Sequence, residues 1–383
     1  MRLCGRDLRN YLTDFGGQYN FNLNQPPHIP MKTILYDTHV SLGAKIVEFS
    51  GWEMPIQYTS GILHEHHAVR RNAGIFDVSH MGRVLIEGPQ AEQFLDYLST
   101  NQISGRPDHS ATYTVLPNSS GTCVDDVIIY RQSPTRFFLI VNAGNRQKDL
   151  SHIQQHASTF DVTVQDRFQE EGILAVQGPK ALVIAQTIFP EISVLEKMQF
   201  VNSSYQNIPL IVATTGYTGE PGIEIYAPNS IITSLWDKFT ALGAVPIGLG
   251  ARDTLRLEMG YALYGHELSD KIYPHESVSS WTVKWKNREF LGKEAMLQRK
   301  SSTQLCQKGV ILEDKGIPRE GYPVLFQDQI IGQVTSGTFS PTLEKGIAII
   351  QSDKILTVGD RVTVQIRQQQ AKGTVVPLPF LQR

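Results

Sequence analysis

Apolar positions recur at helical spacing in several stretches of the chain, and short apolar runs of strand length lie between them. Ile62, His66 and Val69 predict a helix over 61–72, and Ala91, Phe94, Leu95 and Leu98 place one face of a helix over 90–98. Further helices are predicted over Asn145–His156, Pro179–Ile188, Ser230–Leu242 and Ala251–Leu263, the last burying Leu255, Met259 and Ala262. Strands are predicted at Ile75–Val78, 83–87, Phe137–Asn142, Gly172–Val176, Leu210–Thr215 and Ile223–Tyr226. Ala111–Leu116 and Val124–Arg131 flank Asn118-Ser119-Ser120-Gly121-Thr122 and predict a hairpin. Residues 34–50 alternate irregularly and close on Ser50-Gly51-Trp52-Glu53-Met54-Pro55, read as a turn that holds a tryptophan. From about residue 305 short strands follow one another across Gly and Pro turns: Gly309–Leu312, Tyr322–Leu325, Ile330–Thr335, Gly346–Ile350 and Arg361–Ile366. That pattern predicts a small all-β domain, entered by a linker near Gln298–Gln307.

Length and composition narrow this picture. A chain of 383 residues exceeds one ordinary core, so two or three domains are expected. Hydrophobic residues at 41% and charged residues at 19% indicate a globular protein. A net charge of -2, with basic and acidic residues balanced, argues against a nucleic-acid surface. Three dispersed cysteines, Cys4, Cys123 and Cys306, indicate neither a disulfide framework nor a zinc site, and fit a reducing compartment. No apolar stretch approaches the ~20 residues of a membrane span. The first thirty residues mix Arg2, Arg6 and Arg9 with Asp7 and Asp14, lack the apolar core of a signal peptide, and end in Gln25-Pro26-Pro27-His28-Ile29-Pro30. Either Met31 is the natural start, or residues 1–30 form a loose extension.

Four clusters carry candidate chemistry. Asp125-Asp126 opens the apolar run Val127-Ile128-Ile129-Tyr130, where carboxylates are costly without partners. Strand alternation lets one of the two face a given pocket and does not choose between them; a solvated acidic pair at a strand end is the alternative. Gly216-Tyr217-Thr218-Gly219-Glu220-Pro221-Gly222 is a flexible turn that lacks the lysine of a phosphate loop. Beyond it, Glu224 lies on the face opposite Ile223 and Ile225 and could accept two N–H bonds from an amidine-like edge such as that of a pterin, or simply be exposed. Arg252 and Arg256, at i and i+4, must be neutralised either by Asp253 and Glu258 or by an anionic ligand. His64, His66 and His67 share a helix without a completing cluster, so no metal is expected. No Gly-x-Ser-x-Gly elbow occurs, and no cysteine has an evident histidine partner.

These segments together resemble the T-protein family of the glycine cleavage system, in family order from about residue 35 onward. They include Ser50-Gly51-Trp52-Glu53-Met54-Pro55, Gly74-Ile75-Phe76-Asp77-Val78-Ser79-His80-Met81, Val124-Asp125-Asp126 and Val141-Asn142-Ala143. Gly216–Glu220, Gly248-Leu249-Gly250-Ala251-Arg252-Asp253, Leu263-Tyr264-Gly265-His266-Glu267, Thr335–Pro341 and Gly346-Ile347-Ala348 continue the match. No single motif is decisive; their number, order and spacing are.

The resemblance implies an α+β fold, a three-domain cloverleaf around a central folate-binding hole. Two α+β domains with antiparallel sheets would span 31–82 with 170–285, and 83–169; a linker over 286–304 would lead to a C-terminal barrel or jelly-roll-like domain over 305–383. It implies an aminomethyltransferase that takes tetrahydrofolate as co-substrate and the lipoyl arm of H-protein as partner. The products would be 5,10-methylenetetrahydrofolate, ammonia and dihydrolipoyl protein, with no metal. It assigns Asp125 to folate N10, and Glu224 and Arg252 to folate binding. Met81, Tyr113, Asn142, Tyr217 and Tyr261 would line the pocket, with Arg319 as an accessory residue. A monomer is expected, cytoplasmic in a bacterium or in the mitochondrial matrix of a eukaryote. Pro221 departs from the family's turn, and Tyr273–Trp281 is looser than the usual Thr-Pro-Leu-Glu form. A folate-binding branch linked to iron–sulfur assembly or tRNA carries Lys-Gly-Cys-Tyr-x-Gly-Gln-Glu, against which Gly260–Glu267 argues. Sarcosine- and dimethylglycine-demethylating relatives usually add a flavin domain, for which 383 residues leave no room.

Overall fold

A computed structural model describes residues 30–302 and 305–382, so the expected extension lies outside the described residues apart from Pro30. Apolar runs become strands in three bodies. A six-stranded central sheet runs Phe200–Tyr205, Ile208–Ala213, Gly222–Pro228, Glu171–Gln177, Gly74–Asp77, Val245–Pro246, antiparallel except for its last pair. A five-stranded antiparallel sheet runs Ser110–Pro117, Cys123–Ser133, Arg136–Val141, Gly82–Glu87, Thr163–Asp166. Six strands from Cys306 to Val376 close into a barrel. Among the described residues no helix is long and apolar enough to cross a membrane.

The two sheets pack face to face. Phe76, Ile173, Ala175 and Tyr226 of the central sheet meet Tyr130 and Ile140 of the other, and Tyr130 stacks on Phe138 at 4.3 Å. The outer face of the five-stranded sheet is covered by the helices Ala91–Leu98 and Arg146–Ala157. Phe94, Leu95 and Leu98 are fully buried there, each contributing about 1.5–3 kcal/mol of burial. The helical face read from the sequence is the face that packs.

The five-stranded sheet is an excursion from the central one. The chain leaves the central sheet at Asp77 and returns at Glu171 on the adjacent strand, with Leu174 opposite Asp77. The strands that begin and end the excursion are themselves paired, Val84 opposite Asp166. Arg83 clasps this neck, donating to the backbone carbonyls of Ser79, Met81, Phe168 and Glu171.

Three expectations change. The helix begun near Ala251 spans Leu249–Glu258 and does not reach Leu263. Gly260 adopts φ +66°, its N–H bonds Leu257 O at 2.9 Å, and the Tyr261 N–H bonds Arg256 O at 3.1 Å. That glycine cap stops the helix, so Ala262 is buried in a loop. The stretch expected as linker holds the helix Lys293–Ser302, whose buried Met296 packs against the Gly121 turn. The tryptophan turn is in fact a hairpin: Lys45–Phe49 pairs with Trp52–Gln57 around Ser50 and Gly51.

Candidate functional site

Both faces of the strand Cys123–Ser133 are buried, so polarity does not mark which face is which. Asp125 shares its face with Val127 and Ile129, beneath the two helices. Asp126 shares the other with Ile128 and Tyr130, toward the central sheet. A cavity of about 980 Å³ opens between the sheets, the loops after residue 260 and the barrel, and Asp126 lines it. The expectation that Asp125 faces the pocket is overturned: its carboxylate is fully buried on the helix side. It accepts the Asn142 N–H at 2.9 Å, Asn142 Nδ2 at 2.9 Å and Asn145 Nδ2 at 2.6 Å.

Asp126 is held from two sides. The Tyr113 hydroxyl donates to Oδ2 at 2.9 Å and Asn142 Nδ2 to Oδ1 at 2.9 Å. Tyr113 also meets Ser279 Oγ at 3.0 Å, and its ring stacks on Trp281. Burial, and then the charge of Asp125, push the Asp126 carboxyl up to about 7 against the pull of these bonds. Near neutral pH such a group can accept or return a proton.

Strand alternation does place Glu224 as read. Ile223 and Ile225 are fully buried on the far face, and Glu224 turns into the cavity beside Tyr226. Three hydroxyls converge on its Oε2: Thr215 at 2.5 Å, Tyr226 at 2.9 Å and Tyr130 at 3.3 Å. The carboxylate is fixed in orientation before any ligand arrives.

The two arginines of the helix Leu249–Glu258 divide the alternatives. Arg256 is satisfied internally, by Asp253 at 2.8 Å, Glu267 at 3.1 Å and Ser336 Oγ at 2.9 Å. Arg252 enters the cavity with its guanidinium 4.6 Å from the Tyr217 ring, which stacks in turn on Tyr261. Glu258, expected as a partner for these arginines, instead binds Arg70 at 2.8 Å and faces His66 at 3.3 Å. His66 thereby becomes a packed, hydrogen-bonded histidine, with Thr254 and Thr342 at its two nitrogens.

Met81, Asn142 and Arg319 also line the cavity, so it gathers every residue expected there except Asp125. Sequence reasoning leaves Asp126 undecided within its pair and misses His80, Ser279 and Trp281. His80 sits within a quoted motif but carries no spacing signal. Burial, then the Arg252 charge, push it down to about 4, so it faces the cavity neutral.

Two family models together cover most of the chain. One described as the GCVT N-terminal domain matches residues 35–287, and one described as the glycine cleavage T-protein C-terminal barrel domain matches residues 307–382. An aminomethyltransferase of Chlorobium luteolum is 44% identical over 359 residues, 91% of this chain and 98% of the relative. Another, from Rubrobacter xylanophilus, is 44% identical over 356 residues, 92% and 94% of the two chains. The crystal structure of glycine cleavage system aminomethyltransferase T from Bartonella henselae matches with a TM-score of 0.85 at 31% identity, covering 92% of this chain and 98% of that one.

Proposed function

The chain belongs to the glycine cleavage T-protein family, and on that premise we propose that it moves a one-carbon unit from aminomethyl-dihydrolipoyl H-protein to tetrahydrofolate. Asp126, in a wall shared with Glu224 and Arg252, is the observation that carries this reading. A cavity of about 980 Å³ suits a ligand of folate size.

Glu224 accepts the 2-amino and N3 donors of the pterin, its geometry set by three hydroxyls. Arg252 offers donors to an acceptor edge of the ligand, and Tyr217 and Tyr261 supply flat apolar surface. Asp126 takes the role first assigned to Asp125, orienting N10.

The transferred carbon is held between sulfur and an amine on the lipoyl arm. Its C–N and C–S bonds break, and bonds to folate N5 and N10 form. The two nitrogens give up one proton each; one leaves with ammonia and the other returns to the dihydrolipoyl sulfur. Ionised Asp126 stabilises the positive charge that builds on N10 and can receive its proton. Holding arm and folate in line supplies much of the remaining acceleration. On this reading the chain divides as the family resemblance implies, into 31–82 with 170–285, 83–169 and 305–383. The test is formation of ammonia and methylenetetrahydrofolate from aminomethylated H-protein. Tight folate binding with no product from a cognate H-protein would overturn the transferase reading.

A further inference from the structure

Behind Asp126 lies a third acid that the reaction above does not use. Asp149, on the helix Arg146–Ala157, is fully buried, and neither carboxyl oxygen receives a hydrogen bond from the described residues. A buried carboxylate without a donor is unstable as an anion, and protonation turns it into a donor. The helix packs on the strand that carries Asp125, the acid on the face turned toward it, whose oxygens already take three N–H bonds from Asn142 and Asn145. Asn142 ties that carboxylate to Asp126, because its amide donates to both.

We propose that Asp149 is a positioning residue that stays protonated, donates its O–H to Asp125, and so holds a single negative charge directly behind the reacting carboxyl Asp126. Two acids buried side by side share one proton between them. The surrounding groups leave that proton in place. Burial and the Asp125 charge raise Asp149 far above the carboxylate range, and Asp126 acts in the same sense. Lys148 opposes them, but its ammonium is exposed and bonded to the Tyr264 hydroxyl at 2.7 Å. His152, one turn on, is pushed down to about 4 by burial and then by the His156 charge, so it supplies no cation. Around Asp125 and Asp126 the other titratable neighbours, Tyr113, Cys123, Tyr217 and Tyr264, are each raised by burial and stay neutral. The charge on Asp125 therefore falls on Asp126 without dilution.

This inference rests on Asp126 being the reacting carboxyl, and its test separates the two. Infrared difference spectra of the full chain should show a protonated-carboxyl C=O stretch that persists to pH 9 and is absent from Asp149→Asn. That band needs no turnover, so it stands or falls independently of the transferase assay. In the assay, Asp149→Asn, a neutral donor like the protonated acid, should keep the acid limb of the pH profile where the wild type has it. Asp149→Ala removes the donor that holds the negative charge on Asp125, and should move that limb down by about one pH unit or more. A purely structural Asp149 would lower stability without moving the limb. A wild-type spectrum lacking the band, or an acid limb in Asp149→Asn displaced downward, would overturn the proposal.

Discussion

Arg252 and Arg256 stand one turn apart on one helix and illustrate two uses of a buried charge. Toward the barrel, Arg256 is enclosed by Asp253, Glu267 and Ser336, and Glu258 by Arg70, Ser340 and Thr342. Toward the cavity, Arg252 rests on Tyr217 and makes no ion pair with a protein carboxylate among the described residues. A charge whose hydrogen bonds are all met within the protein builds structure. One left with an aromatic platform and open space is placed for a ligand.

The contrast can be broken at its strong end first. Glu258→Ala should cost about 3 kcal/mol in denaturant unfolding, because it breaks a buried ion pair, leaves Arg70 with Glu220 as its one carboxylate partner among the described residues, and takes the shared acceptor from Ser340 and Thr342. Burial pushes Glu258 up, but its His66 and Arg70 partners win and bring it to about 2, below its ordinary 4.5. Its stabilisation is therefore complete above about pH 4.5 and is lost as pH falls toward 2, a loss Glu258→Gln should not show.

Asp126→Asn should lower kcat about a hundredfold or more while leaving unfolding nearly unchanged. The wild-type rate should fall below about pH 7, where Asp126 takes up a proton, and the variant should lose that limb. Asp125→Asn removes the charge behind Asp126, so it should move that limb down by about one pH unit or more, and it should cost stability because Asn142 and Asn145 keep only one of the two oxygens they share. An unchanged pH profile in Asp126→Asn, with full turnover, would remove Asp126 from the reaction.

Arg252→Ala should raise the KM for tetrahydrofolate about ten- to a hundredfold through lost charged hydrogen bonds, with little change in unfolding. Equal losses in both measurements would show that the two arginines do not differ in kind. Smallest of all, Gly260→Ala should cost about 1 kcal/mol: the residue is left-handed, and a Cβ would approach Leu378 to 2.9 Å.

Much of this was legible in the sequence wherever periodicity matched a single buried face. The helix carrying Phe94, Leu95 and Leu98 and the hairpin around Gly121 follow that rule. Glu224 was legible too, because Ile223 and Ile225 announce the opposite face. Periodicity does not choose between Asp125 and Asp126 for the converse reason: Val127, Ile128, Ile129 and Tyr130 are apolar on both faces, since one face meets helices and the other a second sheet, and the choice of Asp125 rests on the family resemblance. Composition could not separate Arg252 from Arg256 either, because Glu267 and Ser336 are brought to Arg256 only by tertiary folding. Trp281 and Ser279 sit in a loop without periodicity, and their place beside Tyr113 is set by the fold alone.

The neck clasped by Arg83 has a mechanical consequence. Asp126 rides on the excursion, Glu224 on the sheet from which the excursion departs, and the chain joins them only through Asp77–Gly82 and Asp166–Glu171. Away from the neck the walls are fastened again, by the Ala111 N–H to Met198 O at 2.8 Å, by the Phe200 N–H to His109 O at 2.9 Å, and by the ring contacts of Tyr130 and Phe138 with Tyr226. The excursion is thus held at two places, and the gap between Asp126 and Glu224 lies between them. At the neck, four backbone carbonyls gripped by one guanidinium hold one side of that gap.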